Sequence, residues 1–381
     1  MRILQVDNWQ WHRYGALRVS TSRKLYHGLI RGNHQVLEFS DRDLARYEAP
    51  LKIKPIGRRR ANHRLLETCE NYQPEMMLLG HADLIENQTL LDIKRRHPHL
   101  RIAYRNVDPL FNPRTVKNIQ RRCEVVDSIF VTTGGDALKQ FLHSHNSVSY
   151  MPNPCDPAIE NQDNSGKENF DWDVLFCGIG KPDDPRVAQV ANLKAQLTDL
   201  RFGVFGMHGN PPLWGIAYEH ALAGSKMALN LNRYEGDHLS SSARISQLMG
   251  NGILTFLHSA SGYQRFFRKS EAVFFSNDAE LEQLLRTFHN DDEARKATAK
   301  QGRRFYQSEF SGQRIAQFIL ETTFNLPYSS DYCWQDQVFL RTKVDAWRGC
   351  LMEMAAASRA QELEAEAERL AIQRILAEQE A

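Results

Sequence analysis

Short β-rich runs alternate with longer amphipathic stretches over the first 150 residues, a cluster of prolines interrupts the pattern, and then it starts again. Alternation of this kind builds successive βα units and a parallel sheet covered by helices. The chain therefore reads as two doubly wound α/β domains. In the first, strands are expected at Ile3–Val6, Gln35–Phe39, Met76–Leu79, Ile102–Tyr104, Ile129–Val131 and Val148–Tyr150, with helices at about 18–31, 60–72, 84–97, 114–124 and 136–144. Met151-Pro-Asn-Pro-Cys-Asp-Pro157 lacks the backbone donors that a helix interior or a central strand requires, and marks the boundary. The second series opens at Asp173-Val-Leu-Phe-Cys-Gly178 and continues through Phe202–Phe205, Met227–Leu231, Ile253–Leu257 and Val273–Phe275, with helices near 185–198, 213–224 and 242–250 and a helical stretch over 279–325. The expected spans are 1–155 and 170–325, followed over 331–381 by a polar helical tail rich in Ala, Glu, Gln and Arg.

The 381 residues suffice for two cores, and the longest apolar runs are far short of the ~20 residues that span a bilayer. The chain enters a strand at Met1-Arg-Ile-Leu without an apolar leader, so a cytosolic protein is expected. Six cysteines without a C-x-x-C pair point to neither a zinc site nor a disulfide framework. Net charge is only +2, yet residues 1–150 carry 24 Lys and Arg against 15 Asp and Glu, and the remainder 24 against 31. The clusters Arg58-Arg59-Arg60, Lys94-Arg95-Arg96 and Arg121-Arg122 suit an anionic membrane surface, an anionic acceptor or nucleic acid, and equally an ordinary solvated surface. With no aromatic interleaving and no known module, nucleic acid ranks last.

In open α/β sheets ligands bind beyond the carboxyl ends of the strands. That rule selects Asp7 to Gly15, His81 with Asp83, Asn106 with Asp108, and Thr132 to Gly135 in the first domain. In the second it selects Gly178 to Lys181, Gly206 to Gly209, Asn230 to Arg233, and Ser240 to Arg244. Gly178-Ile-Gly180-Lys181 is suited to a diphosphate, since glycines let backbone N–H groups approach a phosphate ahead of a helix N-terminus. It is not the dinucleotide fingerprint, because Asp183 stands where G-x-G-x-x-G needs glycine. Further on, one of Ser240, Ser241 and Ser242 can cap a helix that carries Arg244 and Gln247 on one face and ends at Gly252.

This last block resembles the GT-B glycosyltransferases, in particular the CgeB-like branch of the retaining group, whose second domain carries Ser-x-Arg-x-x-Glu-x4-Gly. Ser242, Arg244, Gln247 and Gly252 fall at that spacing. Asp173-Val-Leu-Phe-Cys-Gly178 resembles the strand and phosphate loop that open the family's second domain, and Ser225-Lys-Met-Ala-Leu-Asn-Leu-Asn232 its strand of the Ser-Lys-x-x-Leu-Asn type. The resemblance implies a nucleotide-sugar donor, with the arginine on its diphosphate and the family's glutamate on its ribose. Here Gln247 takes the glutamate's place, and an uncharged acceptor makes the weaker bond. The donor-binding set expected is Gly178, Gly180, Lys181, Asn232, Arg233, Ser242, Arg244 and Gln247.

On the acceptor side His81 and Asp108 follow strands of the first domain and are the catalytic candidates, to orient the acceptor hydroxyl or take its proton. A lone His or Asp after a strand also serves as a cap or loop anchor. In retaining members of the family the leaving phosphate takes that proton, so no protein nucleophile is implied. Of two literal D-x-D sequences, Asp41-Arg-Asp43 and Asp171-Trp-Asp173, the second precedes a strand, and neither metal nor cofactor is expected. The resemblance implies a glycan, lipid-linked or protein acceptor, as in bacterial surface polysaccharide or glycoconjugate synthesis. The rival readings are a Rossmann-type oxidoreductase or epimerase and a non-catalytic glycosyltransferase-like scaffold.

Overall fold

The computed structural model describes residues 1–49, 54–143, 145–234, 236, 238–240 and 242–340. The first sheet is formed by β1 (Arg2–Asp7), β2 (Gln35–Ser40), β3 (Met76–Leu79), β4 (Arg101–Asn106), β5 (Ser128–Val131) and β6 (Ser147–Tyr150). These strands run parallel in the order β6-β5-β4-β3-β1-β2. All four residues of β3, β5 and β6 are buried, as a parallel sheet covered on both faces requires. The second sheet contains β7 (Trp172–Cys177), β8 (Phe202–Phe205), β9 (Ser225–Asn230), β10 (Leu254–His258) and β11 (Val273–Phe275), parallel in the order β11-β10-β9-β7-β8. In both sheets the winding reverses beside the first strand, at β1/β3 and at β7/β9.

Helices begin where short polar side chains can take up free backbone donors. Ser20 caps α1 (Thr21–Arg31), and Asn112 and Asp184, each followed by proline, cap α5 (Pro113–Arg122) and α6 (Pro185–Gln196). Between α1 and α5 lie α2 (Asp41–Glu48), α3 (Lys54–Tyr72) and α4 (Asn87–Arg96), and α7 (Gly215–Ala223) and α8 (Arg244–Gly250) follow α6.

Several elements differ from the sequence expectation. Helix α2 was not expected. The helix expected at 136–144 is a 3-10 turn, Asp136–Phe141, whose buried Leu138 and Phe141 stand three apart, matching three residues per turn. No serine caps α8, which starts after Ala243, while Ser241 lies outside the described residues. The stretch 279–325 divides into α9 (Asp278–Asn290), α10 (Asp292–Glu309) and α11 (Gly312–Phe324). Of the tail expected over 331–381, residues 335–337 make a 3-10 turn and Val338–Phe339 forms β12, antiparallel to β6, because Tyr332 and Trp334 bury against the first core and draw the chain along the sheet edge. Residues 341–381 lie outside the described residues.

Although inside the expected 170–325 span, α11 packs on α1 and against β4 and β5 of the first sheet. A Cβ on Gly28 would overlap the backbone of Gly312, and one on Gly312 the carbonyl of Lys24, so α1 and α11 touch backbone to backbone. The chain therefore crosses between the sheets twice, and the passages are bonded together: Cys155 N–H donates to Phe310 O (2.9 Å), and Gly312 N–H to Cys155 O (2.7 Å). Aromatic rings pack around the crossing. Phe266 stacks on Tyr150 and meets Phe310 edge-on, Phe310 packs on Trp334, and the Tyr150 and Tyr263 hydroxyls lie 3.0 Å apart.

Helix α1 turns a charged face toward the crossing. His27 and Arg31 contact the buried Asp156 carboxylate. The Lys24 ammonium lies 2.6 Å from Glu160 and 2.8 Å from Ser246 Oγ, with both charged residues 1% exposed. Removing one partner of a buried pair costs about 3–5 kcal/mol. Lys24→Met is expected to lose that much in urea titration and Lys24→Met/Glu160→Met to regain most of it. Burial already raises the Glu160 pKa against the opposing pull of Lys24, and without the ammonium the carboxyl holds its proton to higher pH still. The single variant should thus lose less at pH 5 than at pH 8; a loss under about 1 kcal/mol at pH 8 would show the pair to be dispensable.

Candidate active site

The loops after the strands at the two reversal points face each other across a cleft containing three adjoining spaces. The middle one, about 270 Å³, lies against Gly178 and Ile179 after β7 and residues 231–234 after β9, with Val107, Pro109, Phe111 and Thr132 reaching it from the first domain. Three guanidinium groups surround it. Arg244 donates to Cys177 O (2.8 Å) and Leu231 O (2.7 Å) and lies over the Phe176 ring, 4.7 Å from its centroid. Arg186, on the first turn of α6, is held by both carboxylate oxygens of Asp184 and donates to Ile179 O. Arg233 donates to the same carbonyl at 2.9 Å and approaches Asp184 at 3.3 Å.

One carboxylate thus pairs with two of the three cations, Arg186 and Arg233, while Arg244 meets only carbonyl oxygens, and the remaining positive charge registers on Arg244. Burial first, then Arg186, pushes the Arg244 pKa down to about 10, with Arg233 adding to the effect. Its hydrogen bond to Arg186 holds the Asp184 carboxyl below the ordinary range. A cavity walled by cations that meet mainly carbonyl oxygens has unspent capacity for an anion.

On one side the cavity adjoins a smaller apolar space of about 180 Å³, with Gly178, Ile179 and Arg244 common to both and Phe205, Leu213, Trp214, Tyr218 and Gln247 completing the wall. The Tyr218 hydroxyl donates to Gln247 Oε1 (2.6 Å), which leaves that oxygen one lone pair and turns the amide N–H2 toward other partners. On the other side lies a groove of about 710 Å³ in the first domain, lined by Asn8, Arg42, His81, Asp108 and Arg114, with Pro109, Phe111 and Arg233 common to it and the arginine cavity. The buried Asp7 at the end of β1 fixes its floor. Paired with Arg105, it accepts from the Asn8 N–H (2.8 Å) and the His81 N–H (3.1 Å), and so holds the turn that carries His81. Burial, the largest single influence, would raise the Asp7 pKa, and Arg105, His81 and the hydrogen bonds from Ser22 and Asn8 together outweigh it and hold the carboxyl below its ordinary value.

Gly178, Asn232, Arg233, Ser242 and Arg244 line the arginine cavity, and Gln247 the apolar space beside it. His81 and Asp108 come together in the groove, Nδ1 to Oδ2 3.9 Å. Asn232 turns its amide to Ser240 O (3.0 Å), and Ser242 Oγ lies 3.4 Å from Asn230 Oδ1. Gly180 and Lys181 line none of the three spaces. Gly180 is small because Val187 and Met207 press on it, and Lys181 is exposed. Sequence reasoning missed Arg186, Asp184 and Tyr218. The signal for the first two was present, since Asp184-Pro185 is a cap followed by proline and puts Arg186 on the first helical turn beside the loop. Among the described residues no group of three or more His, Cys, Asp or Glu is placed to hold a metal ion.

Residues 186–321 match a family described as glycosyl transferase-like. No curated protein sequence matches the chain. Among solved structures it is similar to sucrose-phosphate synthase from Thermosynechococcus elongatus, at 11% identity and TM-score 0.52 over 85% of this chain and 98% of that one. It is also similar to HepE of Anabaena, solved in complex with UDP and glucose, at 11% identity and TM-score 0.51 over 86% and 100%. The fold is GT-B: two Rossmann-like parallel-sheet domains facing a cleft.

Inorganic pyrophosphate probes the arginine cavity directly. It should raise the melting temperature of the wild type. In Arg233→Gln, whose side chain is half exposed, the unliganded melting temperature should stay put while pyrophosphate affinity falls about tenfold, the measure of one charge-assisted bond. Arg244→Lys should lose both affinity and stability, because an ammonium cannot bridge the Cys177 and Leu231 carbonyls as the planar fork does. A wild type indifferent to pyrophosphate would rule out the cavity as an anion site.

Proposed function

We propose that the chain is a glycosyltransferase that moves a sugar from a nucleoside-diphosphate sugar to an acceptor. The observation that carries this reading is the set of three guanidinium groups lining one cavity at the reversal point of the second sheet, with a single carboxylate, Asp184, paired to two of them. It is supported by the glycosyl transferase-like match over 186–321 and by the likeness in fold to HepE, which was solved with UDP and glucose. In this reading the nucleoside enters the apolar space beside Trp214, Tyr218 and Gln247, the diphosphate meets Arg186, Arg233 and Arg244, and the acceptor occupies the groove beside His81 and Asp108.

The acceptor oxygen forms its bond to the anomeric carbon as the bond from that carbon to the diphosphate oxygen breaks. The acceptor's proton passes to the departing phosphate, as the resemblance to retaining enzymes implies. The arginines stabilise the charge that grows on the leaving group, so we assign them the task a metal performs elsewhere. His81 and Asp108 orient the acceptor hydroxyl. The CgeB-like branch, a glycan, lipid-linked or protein acceptor, and a place in surface polysaccharide or glycoconjugate synthesis inside the cell belong to the same reading.

No described helix is long and apolar enough to cross a membrane. We therefore assign any contact with an anionic leaflet to peripheral electrostatics, carried by the basic surface of the first domain. Within it Arg58 pairs with Glu86 at 3.0 Å and Arg60 donates to the Glu48 carbonyl, while Arg59 is exposed.

The Tyr218–Gln247 bond favours a second reading, a scaffold that binds nucleotide without turnover, because it occupies part of the side chain expected on the ribose. Thermal shift against UDP, GDP, ADP and CMP sugars and NAD, followed by assay of sugar release or transfer, separates the alternatives. One nucleoside-diphosphate sugar should stabilise the protein by about 2–3 kcal/mol at a hundredfold excess over Kd. Turnover supports the enzyme, binding without turnover supports the scaffold, and a shift with NAD alone would overturn both in favour of a Rossmann oxidoreductase.

A further inference from the structure

The segment between β9 and α8 leaves the second domain, touches the first and returns. His238 O accepts from the Gly134 N–H of the first domain (2.8 Å). Leu239 is fully buried against Gly134 despite a left-handed φ of 52°, and its N–H donates to Ser261 O at 2.8 Å. A bulky residue holds that conformation only when its surroundings impose it. Nearer β9, Tyr234 meets Phe111 edge to face, ring centroids 5.8 Å apart and planes inclined at 62°. Phe111 belongs to the first domain, following β4, and Tyr234 to the second, so the pair spans the cleft.

Its place in the cleft is specific. The three spaces form a row, the apolar space joined to the arginine cavity at Gly178, Ile179 and Arg244, and the cavity joined to the groove at Pro109, Phe111 and Arg233. Both rings line the arginine cavity; Phe111 also lines the groove, and Tyr234 packs on Phe111 from the cavity side of that opening. Phe111 is 42% exposed and Tyr234 53%, although each could bury a large apolar area. Two half-wet aromatic faces in contact, one of them at the junction of two spaces, are a surface that suits something apolar on one side and polar at its edges. The C–H face and peripheral hydroxyls of a pyranose have that character.

We propose that Phe111 and Tyr234 are an aromatic clamp, one jaw from each domain, that stacks on the sugar ring of the donor and holds its anomeric carbon at the mouth of the acceptor groove. This rests on the nucleotide-sugar reading above, which puts the nucleoside at one end of the row and the diphosphate in the middle, and so leaves the sugar at these two rings. The clamp touches the sugar and not the nucleotide. It also requires both domains to be in place before the sugar is gripped, which ties cleft closure to positioning.

The test compares UDP with UDP-glucose, and GDP with GDP-mannose, by titration calorimetry on the wild type, Phe111→Ala, Tyr234→Ala and Tyr234→Phe. Each alanine variant should bind the nucleoside diphosphate as the wild type does and bind its sugar conjugate about tenfold more weakly, the scale of one lost ring contact. Tyr234→Phe, which keeps the ring, should restore the conjugate's affinity. Equal weakening toward diphosphate and conjugate would reduce the pair to a domain contact and overturn the clamp alone. A wild type that binds neither diphosphate, and that no ADP sugar stabilises in thermal shift, would defeat the nucleotide-sugar reading and the clamp with it.

Discussion

The backbone bonds between Cys155 and residues 310–312 are the constraint on which the rest depends. Two sheets of this kind can be joined in many orientations, and a single linker would leave them free to swing. A second passage bonded to the first turns a tether into a two-stranded joint. The joint is buried: aromatic rings from the first sheet, the β10–β11 connection and the ends of α10 and α11 pack around it as one apolar cluster. Lys24, His27 and Arg31 of α1 supply the countercharge for Asp156 and Glu160 beside it. Most interfaces between domains within a chain are more polar than this and permit relative motion by default. Here the joint is firm, and the cleft available to ligands is where strand ends from both sheets converge.

That face is built from side chains tied to the backbone. Arg244 is clamped by the carbonyls that end β7 and follow β9, and Arg186 and Arg233 share the Ile179 carbonyl. Carbonyl oxygens carry only partial charge, so they orient a guanidinium without neutralising it. A second or third carboxylate in their place would hold the arginines equally well and leave the cavity neutral. The first domain uses the opposite device at Asp7, whose charge is cancelled by Arg105 and whose free lone pairs anchor backbone N–H groups. One arrangement keeps its charge for a ligand and the other gives it up to fix a turn.

Local pattern decided much of this in advance. Alternating β-rich and amphipathic runs mark all eleven parallel strands to within about two residues, because strands buried on both faces need unbroken apolar runs. The same pattern could not show α2, eight residues long and mostly polar, nor β12, two residues that pair only because Tyr332 and Trp334 bury beside them. Gly180 looked like a phosphate glycine by spacing, but in the fold Val187 and Met207 press on it. Gln247 was read as an open acceptor, and Tyr218, twenty-nine positions away, takes one of its lone pairs.

By itself the sequence determined the elements, the two sheets and the strand ends at which chemistry is expected, since these follow from short-range periodicity and from capping and breaking residues. The tertiary structure decided which of those ends share a wall. It returned α11 to the first sheet, brought Arg186, Arg233 and Arg244 to the wall of one cavity, and set Phe111 of one domain against Tyr234 of the other. Such pairings join residues up to about two hundred and eighty positions apart. They depend on how the double crossing orients two separately wound sheets, and no periodicity along the chain encodes that angle.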